Sequence, residues 1–125
     1  MLVNGVDIIE ILRIRRVAAQ YGERFLNRIY TDQEQRYCRG RASQLATRFA
    51  AKEAVMKALG TGIRGVPWKE VEVVRRPGRA PTIVLHGKAS QQARRMGIEQ
   101  MALSLSHSKD FAIAFVVAES TSPNF

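Results

Sequence analysis

RFAAKEAVMKALGTG, residues 48–62, is the stretch on which the reading of the fold turns. It is Ala-rich and free of Pro, and Leu45, Phe49, Met56 and Leu59 recur as one apolar face, which predicts a helix. At about 100° per residue Lys52 projects from the middle of that stripe, while Glu53 and Lys57 lie along its edge, one turn apart. Gly60 and Gly62 follow as the stop. A lysine or carboxylate among apolar side chains is costly without a partner, so these groups are expected to bind something. The alternative is an i,i+4 Glu–Lys pair on a solvated face, contributing a few tenths of a kcal/mol.

A second acid stands near the start. Leu2-Val3-Asn4-Gly5-Val6-Asp7-Ile8-Ile9-Glu10-Ile11 is rich in β-branched residues and reads as a strand, with Asp7 where a central strand would hold an apolar residue. Aspartate is disfavoured in strands, and a buried one needs a cation or a set of donors. An Asp on a strand and a Glu on a helix suit a hard divalent cation. Magnesium takes one or two protein carboxylates and completes its octahedron with water and phosphate oxygens. A helix N-cap or a buried salt bridge to an arginine would also explain Asp7.

The rest of the chain reads as scaffold. Residues 12–21, 23–30, 31–40 and 88–97 are predicted helices, the third opened by a Thr31/Glu34 capping box. Ile14, Val17, Ala18 and Tyr21 form the core face of the first. Residues 70–75 and 81–86 read as strands joined across Arg76-Pro77-Gly78, and 62–67 as a glycine-containing loop. A hairpin over 99–106 and 110–118 closes the fold, with Met101, Leu103 and Leu105 inward on one strand and Phe111, Ile113, Phe115 and Val117 inward on the other. This predicts an α+β fold: a small, mostly antiparallel sheet packed against one long helix, with shorter helices at its edges. A single domain over 1–118 is expected, with 119–125 as a flexible tail.

Composition narrows the function. The 125 residues suit one domain, and 46% hydrophobic content is enough for a modest core. No apolar run is long enough to span a membrane, and Met-Leu-Val-Asn-Gly lacks the features of a signal peptide. The single cysteine, Cys38, fits a reducing cytoplasm and reads as a small, part-buried helix residue. Twenty basic residues against eleven acidic give +9, a balance that favours polyanions. No nucleic-acid-binding signature accompanies it, so nucleic acid is not the expected partner. Five arginines fall at 13, 15, 16, 24 and 28, against one acid, Glu23. Arg13 and Arg16 share a helix face, joined by Arg24 only if the helix continues through Gly22.

NGVDIIEILRI (4–14), RFAAKEAVMKALGTG (48–62) and LSLSHSKDFAIAFV (103–116), in this order, resemble the holo-acyl-carrier-protein synthase family, the short branch of the 4′-phosphopantetheinyl transferases. The resemblance implies the fold of that superfamily and Mg²⁺-dependent transfer of phosphopantetheine from coenzyme A to a serine of apo acyl carrier protein. It implies Asp7 and Glu53 as metal ligands, with Lys57 beside them as the third catalytic residue. Arg48, Lys57, Gly60, Ser106 and His107 are implied at the coenzyme, with His107 in the hairpin turn. Arg13 is implied as a contact to the carrier, and Arg16 and Arg24 extend that basic face toward an acidic partner. The family's short members are homotrimers with interfacial active sites, so a homotrimer is expected. Two other classes fit the residues: a polyanion-binding module resting on charge, and a different Mg²⁺-dependent phosphoryl or nucleotidyl transferase.

Overall fold

Ala42–Leu59 (α4) is an 18-residue helix around which the other elements are arranged. The computed structural model describes residues 1–121, with Ile63 and Arg64 described by their backbone alone. Alanine-rich sequence without Pro or Gly favours the helix. Gly60 ends it in the left-handed region at φ 71°, its N–H turned back to the Lys57 carbonyl. The expected single apolar stripe understates its burial, because 12 of the 18 residues are buried and the helix is enclosed on most sides. Lys52 and Arg48 are among them.

Against α4 lies an antiparallel three-stranded sheet in the order β1 (Leu2–Glu10), β5 (Phe111–Glu119), β4 (Met101–His107). Its helix-facing side carries Gly5, Asp7 and Ile9 from β1 and Ala112, Ala114, Val116 and Ala118 from β5, while Met101, Leu103 and Leu105 of β4 lie in the same rows. The expected inward face of β5 is therefore reversed. Phe111, Ile113 and Phe115 are exposed on the outer side, beside Val6 and Ile8, and Ile8 is 62% exposed. The reason is the gap between layers. A Cβ built on Gly5 would lie 1.9 Å from the Ala54 carbonyl oxygen. Opposite Ala54 the layers are close enough that Gly and Ala fit beneath the helix where Phe would not. Hydrophobicity ranks these residues in the opposite order to the fit.

The remaining elements are α1 (Ile11–Tyr21), α2 (Glu23–Ile29), α3 (Asp32–Cys38), a single turn α5 (Gly62–Gly65), the antiparallel pair β2 (Val71–Val74) and β3 (Thr82–Leu85), and α6 (Gly87–Arg95). The loop expected over 62–67 thus opens as a helical turn. The Thr31/Glu34 capping box is formed on both sides. On α1, Ile14 is buried but Tyr21 is exposed, because the helix stops at Gly22 (φ 54°, ψ −130°) and the chain turns away. The flexible tail expected over 119–125 does not start at residue 119. Glu119 still belongs to β5, and Ser120 is buried with its N–H bonded to the Met1 carbonyl at 2.7 Å. Residues 122–125 lie outside the described residues.

The Gly5–Ala54 approach gives a direct prediction. Gly5→Ala should destabilise the protein by about 1–3 kcal/mol or more, since the clash is with backbone that cannot rotate away. Urea denaturation of the variant and its parent measures this, and an unchanged midpoint would show that the two layers are not in contact.

Candidate active site

Because strand side chains alternate, Gly5, Asp7 and Ile9 all point toward α4. Gly5 lets the strand sit against Ala54, and Asp7, two residues on, then meets the helix edge carrying Glu53 and Lys57. Lys57 Nζ lies 3.1 Å from Asp7 Oδ1 and donates to the Val6 carbonyl at 2.9 Å. Its side chain is 54% exposed, so this pair adds little to stability and leaves the ammonium free to move to another anion. Glu53 lies within hydrogen-bonding reach of Asp7. Burial pushes its carboxyl above the usual range, and the negative charge and hydrogen bond of Asp7 push it further. Lys57 and Arg13 pull in the opposite direction without cancelling the shift.

Two carboxylates crowded in this way are a seat for positive charge. Among the described residues no group of three or more His, Cys, Asp or Glu forms a candidate metal cluster. A hard cation needs only one or two carboxylates when phosphate and water supply the rest. Asp7 and Glu53 are the residues that would hold it. A cavity of about 570 Å³ lies elsewhere, between Leu2, Met101 and Glu119, and includes neither acid.

Arg48, also expected at the coenzyme, projects from a different side of α4. Five positions before Glu53 it points about 140° away around the helix. Its guanidinium lies 4.4 Å from the ring centre of Tyr37 and donates from Nη1 to Gln44 Oε1 at 2.6 Å and Thr47 Oγ1 at 3.0 Å. Arg41 covers the same ring at 5.4 Å, and Arg75 reaches Tyr37 Oη at 3.4 Å. Arg48 is only 3% exposed, yet its Nη2 is buried without a hydrogen-bond partner. Three cations surround one phenol, and among the described residues no arginine is ion-paired to a carboxylate. Tyr37, Arg41 and Arg75 were not marked by the sequence, because they lie apart along the chain and only the fold collects them.

The other expected residues are scattered. Gly60 is the helix stop, about two turns beyond Glu53 and just under one turn beyond Lys57. His107 ends β4 rather than sitting in the turn, in the row of Ala112 and Ile9 on the helix-facing side. Ser106 is paired with Ile113 on the outer, apolar face, so it and His107 point to opposite sides of the sheet. Arg13 lies close enough to lower the proton affinity of Glu53. Arg16 is exposed on the same helix. The break at Gly22 removes Arg24 from that face and places it with Arg28 at the mouth of a cavity of about 440 Å³ lined by Val17, Tyr21, Phe25, Phe49 and Trp68.

The family described as the 4′-phosphopantetheinyl transferase superfamily matches residues 4–116. The chain is 50% identical over 123 residues to the holo-acyl-carrier-protein synthase of Koribacter versatilis, covering 95% of this chain and 98% of that one. It is 48% identical over 124 residues to the synthase of Herpetosiphon aurantiacus, covering 94% and 98%. Its fold is similar to that of the Helicobacter pylori holo-acyl-carrier-protein synthase in complex with coenzyme A, with a TM-score of 0.84 at 32% identity, covering 93% of this chain and 99% of that chain. The chain belongs to the 4′-phosphopantetheinyl transferase superfamily, in its holo-acyl-carrier-protein synthase branch, and is a transferase.

The raised Glu53 carboxyl has a consequence for stability. A carboxyl whose proton affinity rises on folding binds more protons in the native than in the unfolded state, so stability falls as pH rises through the interval from about 4.3 to the elevated native value. Without divalent cations, Glu53→Gln should therefore melt above the parent at pH 7 to 8, and the advantage should vanish near pH 4. Melting curves across that range measure the difference, and a variant less stable than the parent at pH 8 would contradict the repulsion.

Proposed function

We propose that this protein transfers the phosphopantetheine arm of coenzyme A to a serine hydroxyl of an acidic apo carrier protein, releasing adenosine 3′,5′-bisphosphate, in the cytoplasm and in support of fatty acid synthesis. The single observation that carries the reading is the meeting of Asp7 and Glu53 beside Lys57, on the segments matched by the family. These two acids are the ligands we assign to Mg²⁺. When bound, Mg²⁺ would neutralise charge on the diphosphate, the main requirement of displacement at phosphorus.

The chain's own residues supply the rest. Lys57, exposed and mobile, swings from Asp7 to the phosphate oxygens as charge develops on the leaving nucleotide. The serine hydroxyl must lose a proton, and Glu53 is the chain's own carboxylate placed to accept it. Arg48, with its unpartnered Nη2 inside the Tyr37–Arg41–Arg75 cluster, is assigned to the nucleotide phosphates away from the reacting centre. Gly60 lets the coenzyme pass close to the backbone at the helix end. His107 is assigned to the coenzyme from the helix-facing end of β4, and Ser106 to a coenzyme contact from the opposite face of that strand. Arg13, Arg16 and Arg24 steer and dock the acidic carrier, with the apolar cavity beside Arg24 and Arg28 taking its side chains.

Homotrimeric assembly belongs to the same reading. Leu2, Val6, Ile8, Phe111, Ile113 and Phe115 leave an apolar sheet face exposed, the kind of surface that marks an interaction site. Residues 1–118 form the transferase domain in this account. Among the described residues no helix is long and apolar enough to cross a membrane.

Intact-mass spectrometry of an apo carrier incubated with this protein, coenzyme A and Mg²⁺ tests the reaction. The carrier should gain one phosphopantetheine, and EDTA should abolish the gain; no gain with any carrier would refute the function. Asp7→Ala and Glu53→Ala should each lower the rate by about a thousandfold or more while leaving the fold intact, as expected when charge stabilisation at phosphorus is lost. Turnover near the parent's at saturating Mg²⁺ would remove that residue from the metal site. Arg13→Glu should raise KM for the carrier about tenfold or more with a smaller effect on KM for coenzyme A. Equal changes in both would show that Arg13 does not dock the carrier.

A further inference from the structure

Lys52 stands immediately before Glu53 and points into the protein rather than toward Asp7. It and Glu34 are fully buried, 2.8 Å apart. Lys52 Nζ also donates to the Val71 carbonyl at 2.6 Å and to the Trp68 carbonyl at 3.2 Å, so its three donors are spent on α3, the start of β2 and the 3₁₀ turn before it. Glu34 is held just as firmly, accepting from Thr31 N at 2.9 Å and Val73 N at 2.8 Å. One ion pair thus ties α4 to three other pieces of backbone at the residue adjoining the candidate centre.

We propose that Lys52, through Glu34, is a positioning residue that sets the rotation of α4 so that Glu53 and Lys57 face Asp7. The inference rests on the functional reading given above. Much of α4's buried surface consists of Ala46, Ala50, Ala51, Ala54 and Ala58, small side chains that present shallow ridges and resist rotation weakly. A rotation of about 10° moves a side-chain tip by about 1 Å, and a misplacement of that size can cost two orders of magnitude in rate. Stability alone does not account for the pair, because apolar or neutral replacements of buried ion pairs are often tolerated, whereas fixing register is their best-attested use. Lys52 touches neither Asp7 nor the expected position of substrate. Its effect is exerted through the helix.

The test compares Lys52→Met/Glu34→Gln, which removes both charges with little change of shape, and Glu34→Asp, which keeps the pair but shortens it by one methylene. Mn²⁺ binding is followed by water-proton relaxation, and kcat and KM for coenzyme A by transfer to an apo carrier. Positioning predicts that the double variant melts within a few degrees of the parent, binds Mn²⁺ about ten- to a hundredfold more weakly and loses a similar factor in kcat, with KM changed less. Glu34→Asp should lie between, and it decides the question if the double variant does not fold. Folded variants with the parent's Mn²⁺ affinity and kcat would overturn the proposal. A parent protein that neither binds Mn²⁺ nor modifies any carrier would instead refute the functional reading, and the positioning role with it.

Discussion

β1 can lie against α4 only because residue 5 has no side chain, and the rest of the architecture follows from that approach. With the Ala54 carbonyl where a Cβ would be, the interlayer space admits the alanines of β5 but not its phenylalanines. The larger apolar residues are driven to the opposite face, where they remain open for another surface. Two residues beyond Gly5, the same close contact carries Asp7 to the helix edge. The glycine therefore connects the packing of the core to the candidate chemistry and to the expected assembly.

The site formed this way opposes the stability of the fold. Asp7 and Glu53 are held together with only partial compensation from Lys57 and Arg13. Such strain is a usual feature of binding centres, which are complete only with their ligand. A different solution is used one residue away. Lys52 and Glu34 satisfy each other and the neighbouring backbone completely, so that face of α4 is rigid where the Glu53 face is poised. The surplus of basic charge is likewise left available: the arginines on α1 and α2 are exposed, and those around Tyr37 share a phenol rather than a carboxylate.

How much of this was legible in the sequence varied with the kind of signal. The end of α4, the capping box at Thr31, the turn at Arg76-Pro77-Gly78 and the strand bearing Asp7 depend on local residue chemistry, and the structure agrees with them. Asp7 and Glu53 were recognisable because charge in apolar surroundings is costly wherever the chain goes. The inward face of β5 was misread because alternation gives the period of a strand and not its phase, which here was set by the distance to α4. Tyr21, expected on the core face of α1, is exposed where Gly22 ends that helix, and the same break leaves Arg24 off the face of Arg13 and Arg16. The partner of Lys52 was hidden because Glu34 already had a local role in its capping box. The Tyr37 cluster drew its members from α3, α4 and the end of β2, a proximity that no spacing along the chain discloses.

The central claim is that Asp7 and Glu53 are crowded together to receive a cation in the presence of coenzyme A. It is tested most directly by the shift in melting temperature that Mg²⁺ with coenzyme A produces in the parent and in Glu53→Gln at pH 8. Ligands that bind the native state raise its stability by RT ln(1 + L/Kd), where L is the free ligand concentration. The account predicts a clear rise for the parent and little or none for the variant, whose repulsion is already relieved. Equal rises in both proteins would contradict it.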